Sequence, residues 1–125
     1  MRVVDTSLWI EVFTSGPLLE IARNAALPLD ECVVPAMVSY ELAKWSKRVL
    51  EPQPSQDIMS LLTKCIRVEM DEAVAIEAAQ LSLTHKLHAT DAIIYATARL
   101  MDVDLYTCDA YFEGLPGVSY SPKST

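Results

Sequence analysis

Short apolar segments alternate with longer segments of helical character along this chain, and this alternation constrains its fold most. The predicted strands are Arg2–Val4, Cys32–Val34, Ile66–Val68, Asp104–Thr107 and Val118–Tyr120. Short strands separated by helices indicate βαβ units, in which the strands run parallel and the helices cover both faces of the sheet. We therefore expect an α/β fold with about five strands, formed by a single domain over residues 1–125.

The segments between the strands carry helix signals. A short helix is expected from Thr6 or Ser7, and a second from about Pro17 to the residue before Pro28. Further helices are predicted at Ala36–Leu50, at Ser55–Lys64 after a break at Glu51–Ser55, from Asp71 or Glu72 to about His85, and at Thr90–Met101. Gly114 and Pro116-Gly117 predict turns. We expect the tail, residues 121–125, to fray.

Composition restricts the class of protein. No apolar run approaches the roughly 18 residues that a membrane span requires, and the N-terminus lacks a signal-peptide pattern. The three cysteines form no C-x-x-C pair, which argues against a disulfide framework or a structural zinc site and suits a reducing cytoplasm. The net charge of −7 is unusual for a nucleic-acid binder. It suits acids gathered around divalent cations, or an acidic surface for a basic partner protein.

Two aspartates follow predicted strands directly. Asp5 ends the first strand and Asp109 lies just beyond the fourth. Ligand crevices of parallel sheets lie beyond the carboxyl ends of the strands, so both acids belong at one edge of the sheet. Each also has an ordinary explanation, because Asp5 could cap the next helix and Asp109 could serve a turn.

Glu41 occupies an unusual position on the predicted helix Ala36–Leu50. Val38, Leu42, Trp45 and Val49 form an apolar stripe at helical spacing, and Glu41 borders it. Lys44 and Arg48 lie on its other side. A surface charge cluster is the ordinary reading of this arrangement. The alternative is a functional carboxylate beside two cations that could hold a phosphate.

Asp91 stands at the start of a helix that is apolar nearly all round. Such a helix is expected to be buried between the sheet and its neighbours. A carboxylate in the first turn complements the helix dipole, which would explain Asp91 without any catalytic role. Taken together, however, the four acids all occupy unusual positions. Asp5 ends a strand, and Glu41 borders an apolar stripe. Asp91 starts a buried helix, and Asp109 follows a later strand.

Four motifs in order resemble PIN-domain proteins of the VapC type, the toxin half of a bacterial or archaeal toxin–antitoxin pair. They are VVDTS, SYELA, ATDAIIYATA and LYTCDAYFEGLPGV, and the resemblance covers essentially the whole chain. It implies a parallel five-stranded sheet and a Mg²⁺/Mn²⁺-dependent ribonuclease. It further implies an acidic cluster of Asp5, Glu41, Asp91 and Asp109, with hydroxyls from Thr107 and from Thr6 or Ser7.

The resemblance also implies partners. These are an RNA substrate, often tRNA or ribosomal RNA, a second copy of the chain, and an antitoxin whose tail lies over the active site. Asp5 and Asp91 are the expected direct ligands of Mg²⁺, which Mn²⁺ could replace. Glu41 would ligate or act through water, and Asp109 would be a ligand or support one. Lys44 and Arg48 are the candidate phosphate contacts.

Other functions are weighed against this one. One is a catalytically silent PIN-like module that binds a partner protein or RNA. Another is a phosphohydrolase with Asp5 as nucleophile, which usually requires D-x-D where this chain has Ser7. His85 and His88 are spaced as a possible metal pair but lack further ligands nearby. Trp9, Trp45 and the cysteines are expected in the core or, for the tryptophans, at a dimer interface.

Overall fold

A computed structural model describes residues 1–123. Residues 124 and 125 of the tail that was predicted to fray lie outside the described residues. The elements, in chain order, are β1 (Arg2–Val4), α1 (Thr6–Thr14), α2 (Leu19–Ala26), β2 (Cys32–Pro35), α3 (Ala36–Val49), α4 (Pro52–Leu62), β3 (Ile66–Val68), α5 (Glu72–His85), α6 (Ala89–Met101), β4 (Asp104–Thr107) and β5 (Val118–Tyr120), with short 3-10 turns at Leu29–Glu31 and Ala110–Phe112. Every predicted strand and helix is present.

The five strands form one sheet in the order β3-β2-β1-β4-β5. All four strand pairings are parallel. The predicted α/β fold, a parallel sheet flanked by helices on both faces, is therefore confirmed. The strand order reverses between β1 and β4, which makes their carboxyl ends the topological switch point, the usual position of a binding crevice in such sheets.

The central strands are buried on both sides, as expected of a parallel sheet covered by helices. Val3, Val4, Val33, Val34 and Leu105 have no exposed surface. Helix α6 contributes a run of buried residues from Ile94 to Ala98, so the helix predicted to be apolar all round lies in the core. In the described residues no helix has the length and apolarity needed to cross a membrane.

Two sequence predictions about α3 and α4 are wrong in detail. Helix α4 begins at Pro52, so the predicted break at Glu51–Ser55 is shorter than expected. Prolines are tolerated in a first helical turn, because its N–H groups have no partner within the helix. Val49 is half-exposed instead of completing the apolar stripe. Ser46 is buried in its place, and its hydroxyl bonds that of Ser55 at 2.8 Å.

Candidate active site

The candidate site lies at the switch point of the sheet. Asp5 directly follows β1, and Asp109 follows the neighbouring strand β4 after one intervening residue. Backbone bonding joins the ends of the two strands, since the Asp5 N–H donates to the carbonyl of Tyr106 in β4 at 2.9 Å. The parallel pairing of β1 and β4 thus brings together two acids that are far apart in sequence.

Asp5 is a buried carboxylate held by two hydroxyl groups. Ser7 Oγ donates to its Oδ2 at 2.8 Å, and Thr107 Oγ1 donates to the same oxygen at 2.9 Å. The side chain makes no cap bond to α1, so the capping explanation for this acid is wrong. Burial raises the pKa of Asp5; the two hydroxyls oppose the rise, while the charges of Glu41 and Asp109 add to it.

Thr107 and Ser7 tie the loop after β4 to the start of α1. The N–H of Asp109 donates to Thr107 Oγ1 at 3.0 Å, and that of Cys108 donates to Ser7 Oγ at 3.3 Å. The two hydroxyl oxygens are themselves 3.3 Å apart. These bonds fix the orientation of Asp5 from both sides of the switch point.

Glu41 reaches the site from α3. Thr6 Oγ1 donates to its Oε1 at 2.7 Å, which links the first residue of α1 to the partly buried carboxylate. The charge of Glu41 raises the pKa of both Asp5 and Asp91. The surface-cluster explanation is therefore incomplete, because this glutamate acts electrostatically on acids of two other elements.

Asp91 lies in the first turn of α6, where its position complements the helix dipole. Even so, its pKa is raised to about 6, first by burial and then by the charges of Asp109, Asp5 and Glu41; His88 opposes the rise. Its side chain makes no hydrogen bond within residues 1–123. The charges of the other three predicted acids therefore act on Asp91 at this edge of the sheet.

Asp109 serves a turn as well as the cluster. Its Oδ1 accepts the N–H of Tyr111 at 3.0 Å and caps the 3-10 turn Ala110–Phe112. The turn explanation is thus correct for one oxygen of this carboxylate. The charge of Asp109 still raises the pKa of Asp5 and of Asp91.

The donor set suits a hard divalent cation, since it consists of carboxylate oxygens. Asp5 Oδ1 and both oxygens of Asp91 accept no hydrogen bond from the described residues. Between residues 1 and 123 no three His, Cys, Asp or Glu side chains are close enough to ligate one ion together. Mg²⁺ does not require three, because it binds one or two carboxylates and keeps several waters. The residues present therefore fit such an ion.

A cavity of about 350 Å³ adjoins the acids. Its lining residues come from α1, α3 and the start of α6: Thr6, Ile10, Tyr40, Glu41, Lys44, Trp45, Arg48 and Thr90. Lys44 and Arg48 are exposed, and neither forms an ion pair within the described residues. The two predicted phosphate contacts are thus placed beside Glu41 with their charges available.

The remaining sequence candidates have structural roles. His85 and His88 lie edge-on to different tyrosines, Tyr95 and Tyr111 respectively, which is not the arrangement of a metal pair. Trp9 is fully buried, and Trp45 is partly buried against the core. All three cysteines are buried and free, as predicted.

Glu11 is a buried acid that the sequence analysis missed. Its Oε2 accepts the N–H of Leu18 at 3.4 Å, and a Cβ at Gly16 would collide with that oxygen. Glu11 therefore stabilises the turn between α1 and α2. Glu11 lies three residues after Leu8 and therefore on the apolar face of α1, and this spacing predicts that its side chain is buried.

The fold and the carboxylate cluster define an α/β protein with an acidic site at its switch point. The sequence profile of the PIN domain matches residues 2–118. The chain belongs to the PIN-domain family. No curated protein sequence matches it at a significant level.

Several solved structures share the fold. A toxin–antitoxin complex from Klebsiella pneumoniae contains a chain with 26% identity and a TM-score of 0.84, and the match covers 99% of this chain and 100% of that one. The sarcin–ricin-loop-cleaving toxin VapC20 from Mycobacterium tuberculosis has 18% identity and a TM-score of 0.78, with 98% and 100% covered. FitAcB from Neisseria gonorrhoeae has 23% identity and a TM-score of 0.74, with 98% of each chain covered.

Proposed function

We propose that this chain is a Mg²⁺-dependent endoribonuclease that acts as the toxin of a toxin–antitoxin pair, with Mn²⁺ able to replace Mg²⁺. The observation that carries the proposal is the convergence of four carboxylates from separate elements at one edge of the sheet; burial raises the pKa of Asp91, and the charges of Asp109, Asp5 and Glu41 add to the rise. A divalent cation offsets such repulsion and reverses its effect on the pKa. The membership of the PIN-domain family supports the same conclusion.

Each acid has a proposed role. Asp5 holds the cation through Oδ1, because Ser7 and Thr107 occupy its other oxygen. Asp91 is the second direct ligand, since its carboxylate has no bond within the described residues. A bound divalent cation supplies positive charge to the scissile phosphate and lowers the pKa of water near it. Hydrolysis by water would leave a 5′-phosphate and a 3′-hydroxyl.

Glu41 and Asp109 complete the cluster. Thr6 holds one oxygen of Glu41, which leaves the other to contact the cation through a water or to orient a water that attacks the phosphate. Asp109 contacts the cation through a water, from the oxygen that does not cap the 3-10 turn, or acts on its neighbours through charge. Lys44 and Arg48 hold phosphates of the RNA on the far side of Glu41.

The proposed biological setting follows from the relatives. The Klebsiella pneumoniae structure is a toxin–antitoxin complex, and its matched chain corresponds to this one over its full length. We propose that this chain acts in the cytoplasm as one PIN-like domain over residues 1–125. We further propose that it assembles as a homodimer or with an antitoxin. The RNA would be tRNA or ribosomal RNA; VapC20 is described as cleaving the sarcin–ricin loop.

The test is cleavage of total cellular RNA by the purified protein without antitoxin, in Mg²⁺, Mn²⁺ or EDTA. We expect discrete fragments with 5′-phosphates in either metal and none in EDTA. Asp5→Asn and Asp91→Asn should abolish cleavage. Asp30→Asn, an exposed aspartate in the 3-10 turn before β2, is the matched control and should cleave normally.

Two results would contradict the proposal. Cleavage that persists in EDTA, or in both site variants, would exclude the acidic cluster as the catalytic site. The absence of both cleavage and Mn²⁺ binding in a folded protein would favour the silent binding module. Expression in cells tests the toxin role separately, because growth arrest should require Asp91.

A further inference from the structure

We propose that Tyr40 is a base-stacking residue, and that the cavity beside the acids binds an unpaired nucleotide of a single-stranded RNA segment. This inference rests on the proposed ribonuclease function and adds the form of the substrate. The nucleotide would lie next to the scissile phosphate, with its base against the Tyr40 ring and its flanking phosphates on Lys44 and Arg48.

The cavity adjoins the acidic cluster through Glu41. Glu41 lines it directly, while Thr6 and Thr90 line it as the chain neighbours of Asp5 and Asp91. A group bound in the cavity therefore contacts Glu41 and lies close to the chain positions of two other acids. Its volume of about 350 Å³ is within the range of pockets that hold small ligands.

Tyr40 is an exposed aromatic side chain in the wall of this cavity. It is 55% exposed, although aromatic residues usually bury most of their surface. Lys44 Nζ lies over one face of the ring, 5.8 Å from its centroid, so a base would stack on the opposite face. Stacking on an aromatic face is the common way in which proteins bind the bases of single strands, and it tolerates any base.

The charges around Tyr40 select a polyanion. The chain has a net charge of −7 and only 10 lysines and arginines, yet two of these line this one cavity. Lys44 and Arg48 follow Tyr40 at intervals of four residues, so the three side chains form a row along α3. Two cations in a row beside an exposed ring suit the phosphates that flank a base, which RNA brings at regular spacing.

The stacking geometry requires an unpaired nucleotide. Bases within a duplex have both faces covered by their neighbours, and side chains reach them only at their edges. An exposed ring on the side of a helix can receive a base only when that base is splayed out of a stack. The predicted target is therefore a loop, bulge or single-stranded segment.

The experiment measures equilibrium binding by fluorescence anisotropy in EDTA, where cleavage does not interfere. The probes are a labelled eight-nucleotide RNA of mixed sequence without self-complementarity and an abasic ribose-phosphate oligomer of the same length. Tyr40→Ala should weaken binding of the RNA by about 5-fold to 150-fold and leave binding of the abasic oligomer unchanged. Tyr40→Phe keeps the ring and should retain the wild-type affinity.

The cation variants provide an independent readout. Lys44→Ala and Arg48→Ala should weaken binding of both oligomers equally. Each should reduce the slope of log affinity against log salt by about 0.7. Lys64→Ala, which removes an exposed cation after α4, is the matched control and should change neither oligomer's affinity.

Three results would overturn the inference. The first is an equal loss for both oligomers in Tyr40→Ala, and the second is the absence of binding by the wild-type protein. The third is a smaller oligomer of Tyr40→Ala in sedimentation together with unchanged RNA affinity, which would assign the ring to a protein contact.

The outcomes also distinguish this inference from the proposed function. Base-dependent binding without cleavage in Mg²⁺ would contradict only the proposed function. Normal cleavage with unchanged binding in Tyr40→Ala would contradict only this inference.

Discussion

Thr107 Oγ1 donates a hydrogen bond of 2.9 Å to Oδ2 of Asp5, although the two residues are 102 positions apart in the chain. The bond crosses from β4 to the end of β1, the two strands between which the order of the sheet reverses. The same hydroxyl accepts the N–H of Asp109. One buried threonine thus connects two of the four acids.

Thr107→Val tests this connection. Valine has nearly the same shape but no hydroxyl, so a buried carboxylate oxygen loses a donor and a backbone N–H loses its acceptor. We expect the free energy of unfolding to fall by about 1–3 kcal/mol in urea titrations. Thr107→Ser keeps the hydroxyl and should lose much less. Equal losses in the two variants would show that packing, and not the hydrogen bonds, makes this residue important.

Thr6→Val separates the positioning of Glu41 from the stability of the fold. The substitution removes the 2.7 Å bond to Glu41 Oε1. We expect RNA cleavage and Mn²⁺ affinity to fall by about 10-fold to 100-fold, as for other residues that orient metal ligands. The thermal midpoint should change little, because Thr6 is only partly buried. Thr6→Ser should restore both readouts; wild-type cleavage by Thr6→Val would contradict the role given to this bond.

The stability of the metal-free protein should depend on pH through Asp91. This acid ionises near 3.8 in an unfolded chain and at about 6 in the folded one. Between these values the folded state binds more protons than the unfolded state. The free energy of unfolding therefore falls as the pH rises through this window and levels off above it.

Urea titrations in EDTA across this pH range measure the effect. Asp91→Asn should reduce the fall but not remove it, because the pKa of Asp5 is also raised by burial. Asp30→Asn should follow the wild-type curve. Mg²⁺ added above pH 6 should restore stability to the wild-type protein more than to Asp91→Asn. Identical pH curves for the wild-type protein and Asp91→Asn would contradict the raised pKa.

The placement of Asp5 and Asp109 could be predicted from the sequence, because parallel strands present their carboxyl ends at one edge. That rule does not say that the two strands are neighbours. Their adjacency depends on the order β3-β2-β1-β4-β5, which long-range packing decides. Glu41 could be predicted because it borders an apolar stripe, and Asp91 because it begins an apolar helix. The resemblance to VapC-type proteins then placed all four acids in one predicted cluster.

Other features depend on tertiary packing that periodicity does not encode. The exposure of Val49 and the burial of Ser46 follow from how α4 packs on α3, which places Ser55 against Ser46. Glu11 has a polar side chain but is buried by the turn into α2. The cavity containing Tyr40 is formed by three helices, so no single segment of sequence predicts it.

The most direct test of the acidic cluster is a titration of the metal-free protein with Mn²⁺, followed by electron paramagnetic resonance of the free ion. We predict saturable binding by the wild-type protein and by Asp30→Asn, competition by Mg²⁺, and loss of binding in Asp5→Asn and Asp91→Asn. Folded site variants that bind Mn²⁺ as tightly as the wild-type protein, or a wild-type protein that binds none, would contradict the central claim that these carboxylates hold a divalent cation.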